Sequence, residues 1–408
     1  MTHKGSIHKD WLAFIIGLFA YVQVRILGTF AIGELVLFAI TPFIAFKMFW
    51  HDTRARHFVY MGLVWLVGVM LADIWNRTPL VDHLKGVFNV VFLIALVPAV
   101  YWLLHDRPRR LLYYYGGTAL SMLYNFYVQR SYDVVYEFEV WRVYAFYPLA
   151  VFVASFLYYK ERHFLSYAVV MAFGVWSLYN MSRNIFLTQS IAMAILFYMD
   201  LVSKRKGTAR AKVKKKVSGA IFFLLVVLFF VDYTYESLAS SGTLGTRAAQ
   251  KYWVQKRSDR GLASGRVDAS VSLYLIGKNP IVGYGSYAKD KDKVAHRYIA
   301  KHSVWKPKYK ATNLLPGHSY ILGAWVYAGI LGFTFFAYIL LFLWRAFYTG
   351  VLFSDLKLMG LNIYLLMMLL WNILFSPFAH RINFVSFIIA VVVLWRWYDR
   401  QDAIIKMS

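Results

Sequence analysis

Three side chains in this sequence have the chemistry to act on a phosphate-linked substrate. Arg183 lies in the segment Met-Ser-Arg-Asn, and Arg266 lies in Ser-Gly-Arg-Val-Asp. His318 lies in Pro-Gly-His-Ser-Tyr, at the start of an apolar stretch. An Arg guanidinium binds phosphate oxygens through two parallel hydrogen bonds, and a neutral His accepts a proton from a hydroxyl. The three residues therefore indicate chemistry on an anionic ligand rich in oxygen.

A glycine-rich motif lies between Arg266 and His318. Residues 279–285 read Asn-Pro-Ile-Val-Gly-Tyr-Gly, and residues 329–332 read Gly-Ile-Leu-Gly. Gly and Pro at this density predict a tight turn with close backbone approach, which could surround a phosphate. It is not a P-loop, because the Gly-Lys-Ser/Thr ending is missing. Five nearby polar or cationic residues are predicted to bind substrate as well: Arg257, Arg260, Lys278, Tyr284 and Tyr320.

The predicted site needs neither a metal ion nor a cofactor. The chain has no Cys, which excludes thiolate ligands and a Cys nucleophile. The candidate external acids near the spans form no Asp-x-Asp pair: they are Glu34, Asp82, Asp133, Glu137 and Glu139, and the one close pair, Glu137 and Glu139, flanks Phe138. The His residues have no spacing typical of metal ligands. We therefore expect Arg side chains to supply the positive charge.

The composition predicts an integral membrane protein. Of the 408 residues, 60% are hydrophobic and 16% are charged, and the mean hydropathy is +0.50. A soluble domain is roughly half apolar and about a quarter charged, so a soluble enzyme, a disordered chain and a fibrous protein are excluded. In a membrane protein, Arg183 could instead snorkel to the interface, and His318 could serve as a helix cap.

The hydropathy pattern predicts an all-α polytopic fold with about twelve transmembrane helices. The predicted spans are 11–27, 31–50, 58–76, 86–105, 111–129, 143–159, 164–181, 185–202, 217–234, 318–345, 357–377 and 383–398. They divide the chain into spans 1–9 (1–234), one large polar loop with short helices (235–317), and spans 10–12 with a tail (318–408).

The short loops set the predicted orientation. Alternate loops are rich in Lys and Arg, above all the run 203–216, which holds eight of them. The positive-inside rule places these loops and both termini in the cytoplasm, so the large loop lies outside. We interpret the run 203–216 as a topology anchor rather than a nucleic-acid patch.

The large loop 235–317 is strongly basic. It carries 15 Lys and Arg and 5 Asp and Glu, which leaves a net charge of +10. A long loop is exempt from the charge rule for short loops, so this excess needs another reason. An anionic ligand at the membrane surface is one explanation, and attraction to anionic lipid head groups is the other.

The order of these motifs resembles the O-antigen ligase and polymerase family of bacterial membrane glycosyltransferases. The similar features are Ser-Arg at a membrane turn, a large external loop containing Gly-Arg and Asn-Pro-Ile-Val-Gly-Tyr-Gly, and Gly-His-Ser-Tyr followed by Gly-Ile-Leu-Gly. The motif match covers residues 181–184 and 264–332, and only the hydropathy layout covers the rest. The sequence departs from many members at Ser319, where they have Asn after the His.

The resemblance implies a GT-C-like fold in the bacterial inner membrane, with an active site that faces the periplasm. It implies an inverting, metal-independent transfer of a glycan from undecaprenyl diphosphate. Arg183 and Arg266 match the family's two functional arginines, which would hold the departing diphosphate. His318 matches the family's proposed base, which would accept the proton of the attacking hydroxyl.

Two reactions remain open within this family. A polymerase joins lipid-linked repeat units, whereas a ligase transfers the finished glycan to lipid A–core. Residues 72–74 and 82–86, Ala-Asp-Ile and Asp-His-Leu-Lys-Gly, resemble polysaccharide polymerases and favour the first reaction. Expected partners are the lipid-linked donor, a glycan or lipid A–core acceptor, membrane lipid and a chain-length regulator, but no nucleic acid. A flippase for lipid-linked glycans is the alternative from another class, although its expected internal repeat is not visible.

Overall fold

The computed structural model describes most of a helical bundle. The described residues are 4–25, 29–51, 53–105, 107–129, 138–180, 182–203, 233–243, 245–246, 249, 253, 267–302, 314–317, 319–349, 357–376, 385 and 387–395. Almost all of them are helical, as the sequence predicts. Most of predicted span 9 (217–234) lies outside the described residues.

The elements follow one another through short turns. The helices are α1 (Lys4–Leu18), α2 (Ile32–His51), α3 (Thr53–Trp75), α4 (Leu80–Leu104), α5 (Pro108–Tyr124), α6 (Phe138–Tyr159), α7 (His163–Tyr179), α8 (Arg183–Ser203), α9 (Val267–Lys278), α10 (Val294–His302), α11 (Tyr320–Thr349) and α12 (Met359–Phe375). Residues 233–240 and 387–395 are also helical. One antiparallel hairpin, β1 (Gln23–Arg25) and β2 (Thr29–Ala31), joins α1 to α2.

Several helices have the length and composition of membrane spans. Four of the described helices are long and apolar enough to cross a bilayer, at Ala55–Trp75, Leu80–Leu104, Arg142–Tyr159 and Tyr320–Ala346. Shorter apolar helices lie at Ile32–Ile44, His163–Tyr179, Asn184–Asp200 and Met359–Phe375. These features support an all-α membrane protein.

Helix α3 has one apolar face that is exposed and another face that packs in the core of the bundle. Leu63, Val67 and Leu71 lie one turn apart on one face and are 44%, 49% and 54% exposed. On another face Trp65 is buried and stacks on Phe335 of α11, with the ring centroids 5.0 Å apart. An exposed apolar stripe of this kind suits lipid contact, because hydrocarbon replaces the water that would penalise it.

Predicted span 1 (11–27) is wrong in its second half, because α1 ends at Leu18 and the chain then enters the hairpin. Gln129, in the π-helical turn after α5, explains how the hairpin is tolerated. Its Oε1 accepts from the backbone N–H of Gln23 at 2.8 Å, and its Nε2 donates to the carbonyl of Gln23 at 2.9 Å. This amide therefore satisfies backbone groups that a continuing helix would have satisfied itself.

One buried and one partly buried carboxylate hold helices together at the predicted cytoplasmic end. Asp10 of α1 pairs with Arg109 at 2.7 Å and with Arg110 at 2.9 Å, at the start of α5. In α8, Asp200 accepts hydrogen bonds from the hydroxyls of Tyr158 and Tyr167 at 2.6 and 2.5 Å. Each carboxylate thus has several donors, which offsets the cost of burying its charge.

Helix α11 breaks at Gly329, whose φ of 63° and ψ of −157° are not helical. The N–H of Ile330 would close the helix onto Val326, but it donates instead to the carbonyl of Ile281 at 3.1 Å. The carbonyl of Val326 accepts from Tyr284 N at 2.8 Å. The turn at 279–285 therefore supplies the hydrogen bonds that the helix gives up at its break.

The large loop packs on the first part of α11 rather than extending away from the bundle. Val271 and Leu275 of α9, Ala295 of α10 and Leu315 form one buried cluster with Val326 of α11. Along α11 the cluster ends at Tyr327, just before the break at Gly329. The loop and the helix bundle consequently share a packed interface at the end of the bundle predicted to be external.

We expect Gly329→Ala to destabilise the protein, because a Cβ there would collide with the carbonyl oxygen of Ile281 and the positive φ disfavours an L side chain. The expected result is a fall of about 5 °C or more in the melting temperature in detergent. The matched control is Gly277→Ala, where a Cβ meets no atom within 4 Å. It should leave the melting temperature unchanged or slightly raised. Equal melting temperatures for the two variants would show that the break does not require glycine.

Candidate functional site

Asp73 organises the polar region at the predicted external end of α3. It is 3% exposed, and its Oδ1 accepts from the backbone N–H of Ser286 at 2.5 Å. Its Oδ2 accepts from the Ser286 hydroxyl at 2.9 Å and contacts Nδ1 of His83 at 2.8 Å, which requires a proton on that nitrogen. Three donors from α4 and the large loop therefore surround one buried carboxylate, as a buried charge requires.

The backbone of the turn 279–285 fits against α3 so closely that Gly285 has no room for a side chain. Its φ is 84°, and a Cβ there would lie 2.5 Å from Thr78 Oγ1 and 3.0 Å from Asp73 Oδ1. On the opposite side, Gly285 N donates to the carbonyl of Tyr327 at 3.0 Å. The turn is therefore clamped between the α3–α4 turn and the broken helix α11.

Three asparagine side chains hold this turn and the residue Tyr287 that follows it. Asn76, after α3, donates from Nδ2 to the carbonyl of Gly283 at 3.1 Å. Asn279, at the start of the motif, donates to the same carbonyl at 2.6 Å. In α4, Asn89 donates to the hydroxyl of Tyr287 at 2.9 Å. These contacts all join the glycine-rich turn and its neighbour to other parts of the same chain. The turn therefore docks the large loop on the bundle and is not an open phosphate-binding loop.

The segment before His318 is held by α9, α10 and α12. Ser272 Oγ donates to the carbonyl of Pro316 at 3.0 Å, and Leu315 N donates to the carbonyl of Ala288 at 2.8 Å. Ser319 accepts from Leu322 N at 3.1 Å, which caps α11, and donates to the carbonyl of Ile373 at 2.8 Å. Ser is a preferred N-cap residue, so the sequence at this position suits the start of α11.

The structure describes only part of the predicted site. Arg257, Arg260, Arg266 and His318 lie outside the described residues. Arg183 is the first residue of α8, and Ser182 before it accepts the N–H of Ile185 at 3.1 Å through its backbone carbonyl. The side chain of Arg183 is outside the description as well. The convergence of the two arginines and the histidine therefore stays a prediction.

The three remaining predicted binding residues occupy different environments. Lys278 ends α9 at the surface, with Nζ 5.7 Å from the ring centroid of Tyr274. Tyr284 donates its hydroxyl to the carbonyl of Leu275 at 3.1 Å. Burial, and secondarily Tyr274, raises the pKa of Tyr284 above its ordinary value, so this phenol remains a donor. Lys278 alone among these three is open to solvent.

Tyr320 has the features of a packing residue. It is 1% exposed, and its ring contacts Phe336 and Phe387 with centroids 5.7 and 5.5 Å apart. This placement argues against the predicted direct contact with substrate. The sequence motif Gly-His-Ser-Tyr therefore contains a helix cap and a core aromatic residue beside the candidate base.

The partners of Asp73 and the contacts of Arg142 are not visible in the sequence. An ionisable residue within a predicted span is a signal for a site, and Asp73 carries that signal, but its partner Ser286 is 213 positions away. Arg142 sits at the edge of predicted span 6, where a cation is unremarkable in sequence. In the part of the chain that the structure describes, no group of three or more His, Asp or Glu residues could hold a metal ion.

Comparisons with protein-family models and with curated proteins find no match for this chain.

We expect Asp73→Ala to cost about 2–4 kcal/mol of unfolding free energy, because it leaves buried donors without their charged acceptor. Ser286→Ala should cost about 1 kcal/mol, and the double variant should show a coupling of about 0.5–3 kcal/mol. The measurement is denaturant unfolding of the purified protein in detergent. Asp82→Ala is the control, since its ion pair with Lys85 spans 3.7 Å and is partly exposed, and it should cost less than about 1 kcal/mol. Additive effects of Asp73→Ala and Ser286→Ala would refute the clamp.

Proposed function

We propose that this protein is an inverting glycosyltransferase that uses a glycan linked to undecaprenyl diphosphate and joins repeat units of a surface polysaccharide. Its site would lie at the periplasmic face of a bacterial inner membrane, with twelve spans and both termini in the cytoplasm. The proposal rests first on the resemblance of the motifs at 181–184 and 264–332. It is independent of any metal ion or cofactor, because the predicted positive charge comes from arginines.

The observation that most supports the proposal is the clamp around residues 279–285. It joins segments that are far apart in sequence, namely the α3–α4 turn, the glycine-rich motif and the Gly-Ile-Leu-Gly segment of α11. The glycine-rich motif and the Gly-Ile-Leu-Gly segment belong to the resemblance on which the proposal rests, and Asp73 lies in residues 72–74, which resemble polysaccharide polymerases. A membrane glycosyltransferase needs such a rigid frame, because catalytic groups act only when held in productive geometry.

The surroundings of the proposed catalytic residues also support a common site. Arg266 lies within two helical turns of Ser272, and His318 lies two residues after Pro316. The hydrogen bond between Ser272 and Pro316 thus ties the backbone near the proposed cation to the backbone near the proposed base. On the other side, Ser319 contacts α12, which packs against α8, the helix that begins at Arg183.

The proposed reaction is a single displacement at the anomeric carbon of the donor glycan. The acceptor hydroxyl attacks this carbon, the bond to the diphosphate oxygen breaks, and undecaprenyl diphosphate leaves with the electron pair. Arg183 and Arg266 would bind the phosphate oxygens and stabilise the negative charge that develops there. His318 would take the proton from the hydroxyl as the new bond forms. Attack from the face opposite the leaving group inverts the anomeric centre.

The polymerase reaction is favoured over ligation by the contacts of Asp73 and His83. Both residues lie in the segments that resemble polysaccharide polymerases. Asp73 accepts a hydrogen bond from Ser286, directly after the glycine-rich motif, and His83 contacts Asp73. A ligase would transfer the glycan to lipid A–core, and a flippase would move the donor without breaking a bond. An assay that offers donor alone, or donor with lipid A–core, separates the three activities by their products.

Arg183→Ala and Arg266→Ala are each expected to abolish transfer while the protein still inserts, because each removes a predicted diphosphate contact. Arg→Lys should restore little activity, since an ammonium group cannot reproduce the bidentate contact. The measurement is product formation by purified variants, run also in excess EDTA, where the wild type should remain active. Arg297→Ala is the control, because the hydrogen bonds of this exposed cation within the described part of the chain go to backbone carbonyls. Full activity of either Arg183→Ala or Arg266→Ala at normal membrane level would reject the proposed site.

His318→Gln is expected to slow single-turnover transfer by about 10²–10⁴-fold, because it keeps a hydrogen bond but cannot accept a proton. Wild-type activity should fall as the pH drops below the pKa of a His, about 6.5, since imidazolium is no longer a base. The measurement is the single-turnover rate of both proteins from about pH 5 to 9. If His318→Gln keeps most of the activity and the same acid limb, the histidine only orients the substrate.

A further inference from the structure

Arg142, near the start of α6, is a half-buried cation with an incomplete set of partners. Its Nη2 donates to Asn180 Oδ1 at 3.1 Å, and its guanidinium carbon lies 5.4 Å from the ring centroid of Trp176. Its Nε is inaccessible to solvent and has no acceptor among the described residues. A guanidinium has five N–H donors, so most of its hydrogen-bonding capacity remains available to a ligand.

No described carboxylate neutralises Arg142. The described ion pairs join Asp73 to His83, Asp82 to Lys85, Asp10 to Arg109 and Arg110, and Asp200 to His163. Its polar partner, Asn180, is a neutral amide that is 3% exposed and donates to the carbonyl of Trp176 at 2.7 Å. Burying a cation is costly unless it is paired, and an anionic ligand would lower that cost for Arg142.

Arg142 lies at the same end of the bundle as Arg183. Asn184, next to Arg183 in the first turn of α8, donates to the hydroxyl of Tyr144 in α6 at 2.6 Å. Asn180 ends α7 between these two helices. The start of α6, the end of α7 and the start of α8 therefore meet, and the positive end of the α8 dipole adds to the charge of the two arginines.

The large loop begins directly over this group of helix ends. Tyr235 and Ala239, in the helical segment 233–240, form a buried cluster with Leu178 of α7 and Phe186 of α8. This apolar contact fixes the segment against the end of α7 and the first turn of α8. The region around Arg142 is thus partly screened from water, which strengthens the attraction between a guanidinium and an anion.

We propose that Arg142 binds a phosphate group at the ends of α6, α7 and α8, together with Arg183. Under the proposed function, on which this identification of the ligand rests, the phosphate belongs to the diphosphate of the lipid-linked donor. The head group of an anionic phospholipid offers the same chemistry from another source. In both cases the remaining terminal N–H groups of the guanidinium donate to phosphate oxygens while Asn180 and Trp176 hold the plane of the group.

The test uses the full-length protein in nanodiscs and measures binding of undecaprenyl diphosphate without an acceptor. Arg142→Met should weaken binding about 10- to 100-fold, as expected for the loss of a hydrogen bond between charged groups. Arg142→Lys should restore part of the affinity, because it keeps the charge but not the planar fork. Arg162→Met is the matched control, since this exposed arginine lies in the turn at the other end of α6 and α7. Its affinity should equal that of the wild type.

Asn180→Asp is a second variant that tests the role of Arg142 if Arg142→Met fails to fold. The new carboxylate would pair with Arg142 and neutralise it, so binding should weaken although Arg142 keeps its hydrogen bond. If Arg142 served only to hold Asn180, this variant would bind the diphosphate as the wild type does, and the proposal would be overturned. The melting temperature of each variant is recorded to separate loss of binding from loss of fold.

A second arm separates the two sources of phosphate. It compares the melting temperature of wild type and Arg142→Met in nanodiscs of phosphatidylglycerol and of phosphatidylcholine. Unchanged diphosphate binding together with loss of the stabilisation by phosphatidylglycerol would assign the site to a lipid head group. No effect in either arm would overturn the proposal. Because binding needs no turnover, a positive result can stand even if the protein transfers no glycan.

Discussion

A helix that breaks inside a membrane protein must find new partners for the N–H and C=O groups that it releases. At Gly329 these partners come from the turn 279–285, which accepts from Ile330 and donates to Val326 and Tyr327 of α11. The exchange binds the large loop to the bundle through backbone groups. The position of α9 and of the segment before His318 follows from it, because both pack on the part of α11 before the break.

Asp73 anchors the opposite side of the same turn. A carboxylate that is 3% exposed needs several donors, and it obtains them from Ser286 and His83. The turn is therefore held by a neutral backbone exchange on one side and by a buried charge on the other. This division has a functional consequence: the glycine-rich motif supports the loop, and the groups proposed to act on substrate, Arg266 and His318, lie in segments attached to that support.

The distribution of charge differs between the two ends of the bundle. At the predicted cytoplasmic end, Asp10 pairs with Arg109 and Arg110, and Asp200 collects two tyrosine hydroxyls. At the other end, Asp73 pairs with His83 and Asp82 pairs with Lys85, whereas Arg142 contacts an amide and an aromatic ring among the described residues. Paired charges stabilise helix packing, whereas an unpaired cation near a surface is available to an anionic ligand. The contrast is consistent with a substrate that carries phosphate at the predicted external end.

The sequence by itself determined the helical class, the positions of most helices and the turn at 279–285, because hydropathy and Gly or Pro act over a few neighbouring residues. It also selected Asp73 as an unusual charge within a span. Tertiary structure decided the hairpin at 23–31, since the amide of Gln129 that satisfies its backbone comes from another helix. It also decided that the glycine motif docks on Asp73 and on the break of α11 instead of forming an open phosphate loop. These outcomes depend on partners up to 213 positions apart, and local periodicity contains no information about which distant groups will meet.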